Sequence, residues 1–511
     1  LSGLCGRSSA DTEETAGVIA GRLGQCAYIQ APKLGHLLRH QRLQAAMQVF
    51  LDPRRPRPCQ PVQIMCIREL SKWFPSITKI KYEGIKSSNP LTFKYYNPSE
   101  ILMGKSMEEW LRFSVCYWHT FRGTGADQFG LPTISRFWDD GSNSIENAKR
   151  RISVAFEFFE KLGVKYYTFH DRDISPEGES WKETHDNFDI ISDCLLEYQK
   201  KTGIELLWGT ANIFSHPRYM NGGATSPDFT SYAYAAAQVK KAMEITHKLG
   251  GKNYVFWGGR EGYNSILNTD LKRELDHHAQ FLKMAKSHKE KIGADFQLLI
   301  EPKPREPMKH QYDYDAQTCI GFLKQYELDK DFKLNIEPNH TTLAGHDYEH
   351  DVLISSIYGY LGSIDSNTGD TLLGWDTDQF PMDIKKATLI MRVIINMGGL
   401  SPGGLNFDCK LRRESTDIED MFISHIGAMD TFARGLRIAV RIINDKRIHN
   451  MISSRYSTFN NGIGKKVEEG TFSMDEAEKY ILDKEEDISF NYKPNSGKQE
   501  LYEMILNEYI R

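Results

Sequence analysis

No stretch of this chain approaches the roughly 18 consecutive apolar residues of a membrane-spanning helix, so no membrane partner is expected. Its 8 cysteines are spread over 511 residues without one Cys-x-x-Cys pair. Neither a zinc ribbon nor a disulfide framework is indicated, and a reduced, cytoplasmic setting is the expectation. Charge imbalance is missing too: 64 basic residues stand against 68 acidic ones, a net charge of -4. That leaves no overall electrostatic reason to expect nucleic acid or an anionic membrane surface. There is no phosphate-cradling P-loop, and without a Gly-x-Ser-x-Gly elbow acyl transfer by serine is unsupported.

What is present is an ordinary globular composition, 40% hydrophobic and 26% charged. The length allows about three domains, or one α/β barrel with insertions. Residues 1–73 differ in texture from the rest. Four of the eight cysteines fall there, and Leu34 to Arg57 is basic, running into Pro53-Arg54-Arg55-Pro56-Arg57-Pro58. This stretch is expected to be a disordered or vector-derived extension, with a targeting segment as the alternative. Asp11, Glu13 and Glu14 count against a transit peptide.

From Phe74 the pattern alternates. Strands are predicted over Ser114–Tyr117, Val164–Phe169, Ile204–Trp208, Tyr254–Trp257, Phe296–Ile300, Phe332–Ile336, Leu361–Ile364 and Gly404–Phe407. Between them, helices are predicted over Ile145–Leu162, Asn187–Lys201, Ser231–Leu249, Leu271–Ile292, Ala316–Tyr326, His350–Tyr360 and Ile384–Met397. Eight such strands imply an α/β fold, a (β/α)8 TIM barrel over residues 74–444. An open doubly wound sheet is disfavoured, because no Gly-x-Gly-x-x-Gly turn follows the first strand. Residues 445–511 are charged and helix-prone, with Asn460-Asn461-Gly462-Ile463-Gly464 read as a loop. They are expected to form a C-terminal helical arm for subunit contacts, or else an appendage packed on the same chain.

The strand ends carry the chemistry. Four successive strands terminate in Glu301, Glu337, Asp365 and Asp408. Active sites of this barrel are built at the C-terminal ends of its strands. Four carboxylates on one axis repel strongly at low dielectric, so at least one divalent cation is implied. The mostly oxygen donor set favours Mg²⁺ or Mn²⁺. Pro338 is expected to disfavour helix at Glu337 and give an extended exit from that strand, with His340 on the loop just beyond. Asp376 and Asp378, two apart on an extended segment, point to one side, and with His340 they could form a second metal site sharing Glu337. Lys303 lies between two prolines, where it neutralises the acids or polarises a substrate oxygen, unless it is simply solvated. His170 with Asp173 reads as an oriented general acid or base, or as a further metal ligand. Trp118, Trp208 and Trp257 stand at strand ends, as barrel-top core or as walls of a sugar pocket.

At these residues the chain resembles the xylose isomerases, specifically the longer class with an N-terminal insert. The matching segments include Trp118-His119-Thr120, Gly125-Ala126-Asp127-Gln128-Phe129-Gly130 and Phe169-His170-Asp171-Arg172-Asp173. Glu301-Pro302-Lys303-Pro304, Gly374-Trp375-Asp376-Thr377-Asp378-Gln379-Phe380-Pro381 and Gly404-Leu405-Asn406-Phe407-Asp408 continue the likeness, which runs from about residue 74 to the C-terminus. The resemblance implies an aldose–ketose isomerase that interconverts D-xylose and D-xylulose, and D-glucose and D-fructose, by a 1,2-hydride shift. It implies two divalent cations per subunit, Mg²⁺ or else Mn²⁺ or Co²⁺. Glu301, Glu337, Asp365 and Asp408 would hold one, and Glu337, His340, Asp376 and Asp378 the second. His170, oriented by Asp173, would assist ring opening, and Lys303 would bind the carbonyl-end oxygen. Trp118 and Trp257 would wall the pocket, and Thr210 would contact it. Phe129 would enter a neighbouring subunit's site, which implies a homotetramer, a dimer of dimers.

Pro338 stands where alanine is more usual in that family, which puts the spacing of Glu337 and His340 in question. An isomerase of another aldose is the nearest alternative. A metal-dependent barrel hydrolase is disfavoured, because it needs a basic rim for phosphate and Asp370–Asp383 is acid-rich. A non-catalytic sugar-binding protein would leave Lys303 and two overlapping ligand sets unexplained.

Overall fold

In a computed structural model, residues 73–510 are described, except 486, 487, 489 and 490. The extension expected over 1–73 therefore lies, but for its last residue, outside the described residues. Eight short β-rich runs form β1 (Phe113–Cys116), β2 (Tyr166–His170), β3 (Glu205–Thr210), β4 (Asn253–Trp257), β5 (Gln297–Glu301), β6 (Phe332–Ile336), β7 (Leu361–Asp365) and β8 (Leu405–Phe407). The helices that follow them are α1 (Ile145–Leu162), α2 (Trp181–Thr202), α3 (Phe229–Lys248), α4 (Leu271–Lys291), α5 (Ala316–Gln325), α6 (His350–Ile357), α7 (Ile384–Asn396) and α8 (Ile418–Asp445). Each strand pairs in parallel with its successor, and β8 pairs with β1, so the sheet closes into a barrel. This is the (β/α)8 TIM barrel expected from the alternation.

Side-chain caps set where the helices begin. Ser144, Ser180, Asp228, Asp270, Asp315 and Asp383 each accept a backbone N–H from the first turn of α1, α2, α3, α4, α5 and α7 respectively. Ser180 explains why α2 begins at Trp181, six residues before the expected Asn187. α1 stops at Gly163, whose φ of 84° is a left-handed cap. Helix and strand faces meet in a dense aromatic layer: Phe156, Phe159 and Tyr167 are all within 1% of full burial, and Phe159 stacks on Tyr167 at 5.7 Å. Truncating one such phenylalanine to alanine costs roughly 3–5 kcal/mol.

The segment before β1 is strapped beneath the barrel by two carboxylates. Glu157 accepts the backbone N–H groups of Trp73 and Phe74, and Asp430 accepts those of Lys94, Tyr95 and Tyr96. Because α1 and α8 carry these two acids, the strap is fixed to opposite ends of the strand-helix series.

Two local expectations are corrected. Glu337 leaves β6 in the expected extended conformation, but His340 is not on a loop: Pro338 opens a short helix, Pro338–Leu343, that carries it. Proline is favoured at a first helical position, where its missing N–H has no intrahelical partner to lose. Asn460–Gly464 is not simply a loop, since Gly462–Glu468 is helical. Asn-Asn-Gly is as compatible with a helix start as with a turn, and the lysines that follow are good helix formers.

Burial differs along the tail. Ile505, Leu506 and Tyr509 of the last helix, Gln499–Ile510, are buried against Ile438, Ile442 and Ile448 of the same chain. Between them, the helices Gly462–Glu468 and Met474–Asp483 bury no residue, and Tyr456, Val467, Met474 and Leu482 are exposed.

Candidate active site

Side chains two residues apart on a strand share a face, so polar groups at the tips imply polar groups one layer below. That inner layer is built from Ser114, Thr168, Asn335 and Asn406, all fully buried. Ser114 and Thr168 hydroxyls donate to the Asn406 carbonyl at 2.8 and 3.0 Å. This fixes the Asn406 amide to donate upward to Asp365 Oδ1 at 2.9 Å, while the Asn335 amide donates to Glu301 Oε2 at 2.9 Å. The carboxylates are thus aimed before any ligand arrives.

Glu337 stands at the centre. It belongs to three separate groups of ligand atoms that lie within 4.8 Å of one another: with Glu301 and His340, with Asp365 and Asp408, and with Asp376 and Asp378. All seven candidate metal ligands therefore converge. Glu301 groups with His340 in this arrangement, and it also lies beside Asp365, as their mutual electrostatic influence shows. Pro338 does not separate Glu337 from His340: His340 Nε2 is 3.2 Å from Glu337 Oε1 and 3.0 Å from Asp376 Oδ2.

The pair Asp376 and Asp378 reaches the centre by a different route from the one expected. The segment is not extended; Asp378 has a φ of 43°, a left-handed conformation that costs a non-glycine residue roughly 1–2 kcal/mol. The strain is held by Lys410 N and Arg412 Nη2, which donate to the Asp378 carbonyl at 2.9 and 3.0 Å. A bridge between Thr368 and Gln379 closes the loop behind it.

The electrostatics of these acids favour a nearby positive charge. Burial, reinforced by neighbouring acids, pushes the Glu301, Glu337 and Asp408 carboxyls well above their ordinary range. Burial lifts Asp365 to about 6. Asp376 is also buried, but Lys303 and then His340 more than offset that and hold it well below the usual carboxylate range. Two buried polar atoms at the centre, Asp365 Oδ2 and His340 Nδ1, have no hydrogen-bond partner. An oxygen-rich donor set around orphaned buried atoms fits a hard divalent cation.

The candidate catalytic groups flank this centre. Lys303 Nζ is 2.9 Å from Asp376 Oδ2 and 3.3 Å from Glu306 Oε2. His170 ends β2 and its Nδ1 is 2.8 Å from Asp173 Oδ2, one helical turn on. A cavity of about 270 Å³ adjoins both, lined by Trp118, Trp208, Thr210, Val255 and Trp257 among others. The wall is tied to the acids, since Trp118 Nε1 donates to Asp408 Oδ1 at 2.9 Å. Trp118 enters from a single π turn, Trp118–Arg122, directly after β1. Phe129 stands apart from its own chain's cavity: it is 80% exposed, beside Trp375 on a loop.

Several groups escaped the sequence reading. Asn367 Nδ2 donates to Glu337 Oε1 at 2.6 Å, and Asn339 donates to Asp376 Oδ1. His119 Nε2 sits 3.2 Å from Asp378 Oδ2 and 3.3 Å from Asp408 Oδ1, and Lys410 Nζ is 2.9 Å from Asp378 Oδ2. Asn335 and Asn406 were findable, because each stands two residues before a predicted ligand and so shares its side of the strand. Asn367 and Lys410 lie on loops, and His119 in the π turn after β1, where no such period applies.

Curated relatives are similar over most of this length. A xylose isomerase from Rhodopirellula baltica is 55% identical over 437 residues, covering 86% of this chain and 99% of that protein. One from Arabidopsis thaliana is 55% identical over 433 residues, covering 85% of this chain and 90% of its own length. One from Caldicellulosiruptor bescii is 55% identical over 439 residues, covering 86% and 99%. The family model described as the XylA2 C-terminal domain matches residues 452–510.

Proposed function

The chain belongs to the xylose isomerases, and from that premise we propose that the tryptophan-walled cavity beside Glu337 is where it interconverts D-xylose and D-xylulose. It is an aldose–ketose isomerase, and the family relationship implies the use of divalent cations. We further propose D-glucose and D-fructose as a second pair, and two cations per subunit, Mg²⁺ by preference with Mn²⁺ or Co²⁺ as substitutes. The observation that carries the reading is Glu337, shared by three ligand groups at the edge of a cavity of about 270 Å³.

Glu301, Glu337, Asp365 and Asp408 would hold one cation; Glu337, His340, Asp376 and Asp378 would hold the other. Divalent cations at these positions supply Lewis-acid polarisation of the sugar's two reacting oxygens. The chain's own groups do the rest. His170, kept in one orientation by the Asp173 carboxylate 2.8 Å away, exchanges a proton with the ring oxygen as the sugar opens. Lys303 donates to the oxygen at the carbonyl end, where its positive charge favours the electron density that builds up as hydrogen shifts between C2 and C1. Trp118, Trp208 and Trp257 stack against the carbon skeleton and exclude water, while the migrating hydrogen, moving with its electron pair, is never an exchangeable proton. Thr210 narrows the same wall.

Phe129 supports an assembly. An aromatic side chain 80% exposed, two residues from Leu131 at 83%, is costly to leave in water. Insertion of Phe129 into the cavity mouth of a second copy, within a homotetramer, would cover it. The exposed apolar residues of the tail between Tyr456 and Leu482 suit the same assembly.

The test is turnover by the purified chain. With Mg²⁺ it should convert xylose to xylulose, and EDTA should abolish the conversion. In deuterated water the product should keep the substrate hydrogen; full wash-out would replace the hydride shift with an enediol route. A panel of aldoses under the same conditions ranks xylose against glucose.

A further inference from the structure

Outside the catalytic cavity, the chain brings together a second set of metal-type donors. His346 and His350, four residues apart, and the adjoining Asp351 each offer one ligand atom, and the three atoms lie within 4.8 Å of one another. They sit where the loop after Pro338–Leu343 enters α6, against the start of α5. None of the three lines the cavity described above.

Two atoms of this cluster are left without partners. Asp351 is 2% exposed; its Oδ2 accepts the Ala316 N–H at 3.1 Å, but its Oδ1 is buried with no hydrogen bond. His350 Nε2 is likewise buried without a partner. An unsatisfied buried carboxylate oxygen and imidazole nitrogen together are expensive, and a shared cation would satisfy both. The third donor is already oriented. Asp315 Oδ2 lies 3.1 Å from His346 Nε2, the carboxylate–imidazole pairing that commonly fixes a metal-binding histidine. The His346 and His350 rings are held 4.3 Å apart, inclined by 23°. The His346 side chain is 27% exposed, which leaves an entry path from solvent.

We propose that His346, His350 and Asp351 form a third cation site, separate from the catalytic centre and selective for a borderline metal such as Zn²⁺. Two imidazoles and one carboxylate, with a water as fourth ligand, suit Zn²⁺ and are poorly matched to Mg²⁺. The catalytic centre, with six carboxylates and one imidazole, has the opposite preference. The site's location ties α5 to α6 through Asp315 and Ala316, so an ion there would brace the helices that follow the Glu301 and Glu337 strands.

Metal counting on the full-length protein tests this. Metal-stripped wild type and the His346→Gln/His350→Gln variant are loaded with Zn²⁺ in a large excess of Mg²⁺, desalted and analysed by atomic emission. Wild type should retain one Zn²⁺ per chain more than the variant, while Mg²⁺-dependent xylose turnover by the variant shows it to be folded. Equal zinc content in the two proteins overturns the site and assigns the zinc to the catalytic carboxylates. Should the double variant fail to fold, Asp351→Asn removes the charge while keeping an acceptor for Ala316 N–H. It should weaken Zn²⁺ binding at least tenfold by titration, and unchanged affinity overturns the proposal. With Co²⁺ in place of zinc, wild type should show an intense visible band that the variants lack.

Discussion

Lys303 Nζ lies 2.9 Å from Asp376 Oδ2, joining the end of β5 to the loop after β7 across the barrel mouth. Glu306 Oε2 takes part from the other side, 3.3 Å from the same ammonium and 2.8 Å from the Asp376 backbone N–H that donates to it. In the proposed mechanism the lysine is the donor to the substrate oxygen, and it also neutralises part of a buried acidic cluster. Removing it should damage both. Lys303→Met is expected to lower kcat by about 10²–10³-fold, the usual loss for one preorganised donor to a developing negative charge. Steady-state kinetics on xylose check the first effect. A calorimetric titration with Mn²⁺ checks the second, because loss of the Asp376 partner changes the charge that a cation meets.

Glu337 takes part in every ligand group around the centre. Glu337→Gln should abolish measurable xylose turnover and flatten the dependence of melting temperature on Mg²⁺. A cation at 100 times its Kd stabilises the folded chain by about 2.7 kcal/mol per site, so wild type should melt several degrees higher with Mg²⁺ than with EDTA. If the variant keeps the full Mg²⁺-induced shift, Glu337 is not the shared ligand.

His425 gives a pH dependence away from the centre. It is 1% exposed among Phe158, Phe380 and Phe407; Nδ1 bonds the Met421 carbonyl, and burial pushes its pKa down to about 4 from 6.5. The folded state thus holds the neutral ring, and the unfolded chain takes up the proton first as pH falls. The stability involved is present above pH 6.5 and is lost as pH drops towards 4, by up to about 3 kcal/mol. His425→Phe should show a shallower fall of melting temperature between pH 6.5 and 4 than wild type. Parallel curves would remove His425 as the source.

Phe129 separates a structural role from a functional one. On an isolated chain, an 80% exposed side chain contributes little, and Phe129→Ala would be close to neutral. If it enters a second copy's cavity mouth, the same change should raise KM for xylose several-fold while leaving the melting temperature nearly unchanged. Sedimentation of the two proteins at matched concentrations tells whether assembly is affected as well.

Much of the barrel is legible in the sequence because strand and helix signals are local. β6 was expected at Phe332–Ile336 and is found there, and α1 at Ile145–Leu162 likewise. A run of β-formers between amphipathic segments leaves few alternatives. The errors lie where one residue type serves two local structures, as with Pro338 and Gly462, each the first residue of a helix. The candidate ligands were also legible, since a parallel barrel carries every strand tip to the same end.

What the sequence determined by itself was the set of strand tips and the carboxylates they carry, because alternation and strand direction are properties of short segments. The tertiary structure alone decided how those tips share the space: that Glu337 lies in all three ligand groups, that Asp376 and Asp378 arrive through a left-handed turn, and that Asn367, His119 and Lys410 close the cluster. Those relations depend on barrel closure, which sets distances between residues tens to hundreds of positions apart, and no local pattern records them.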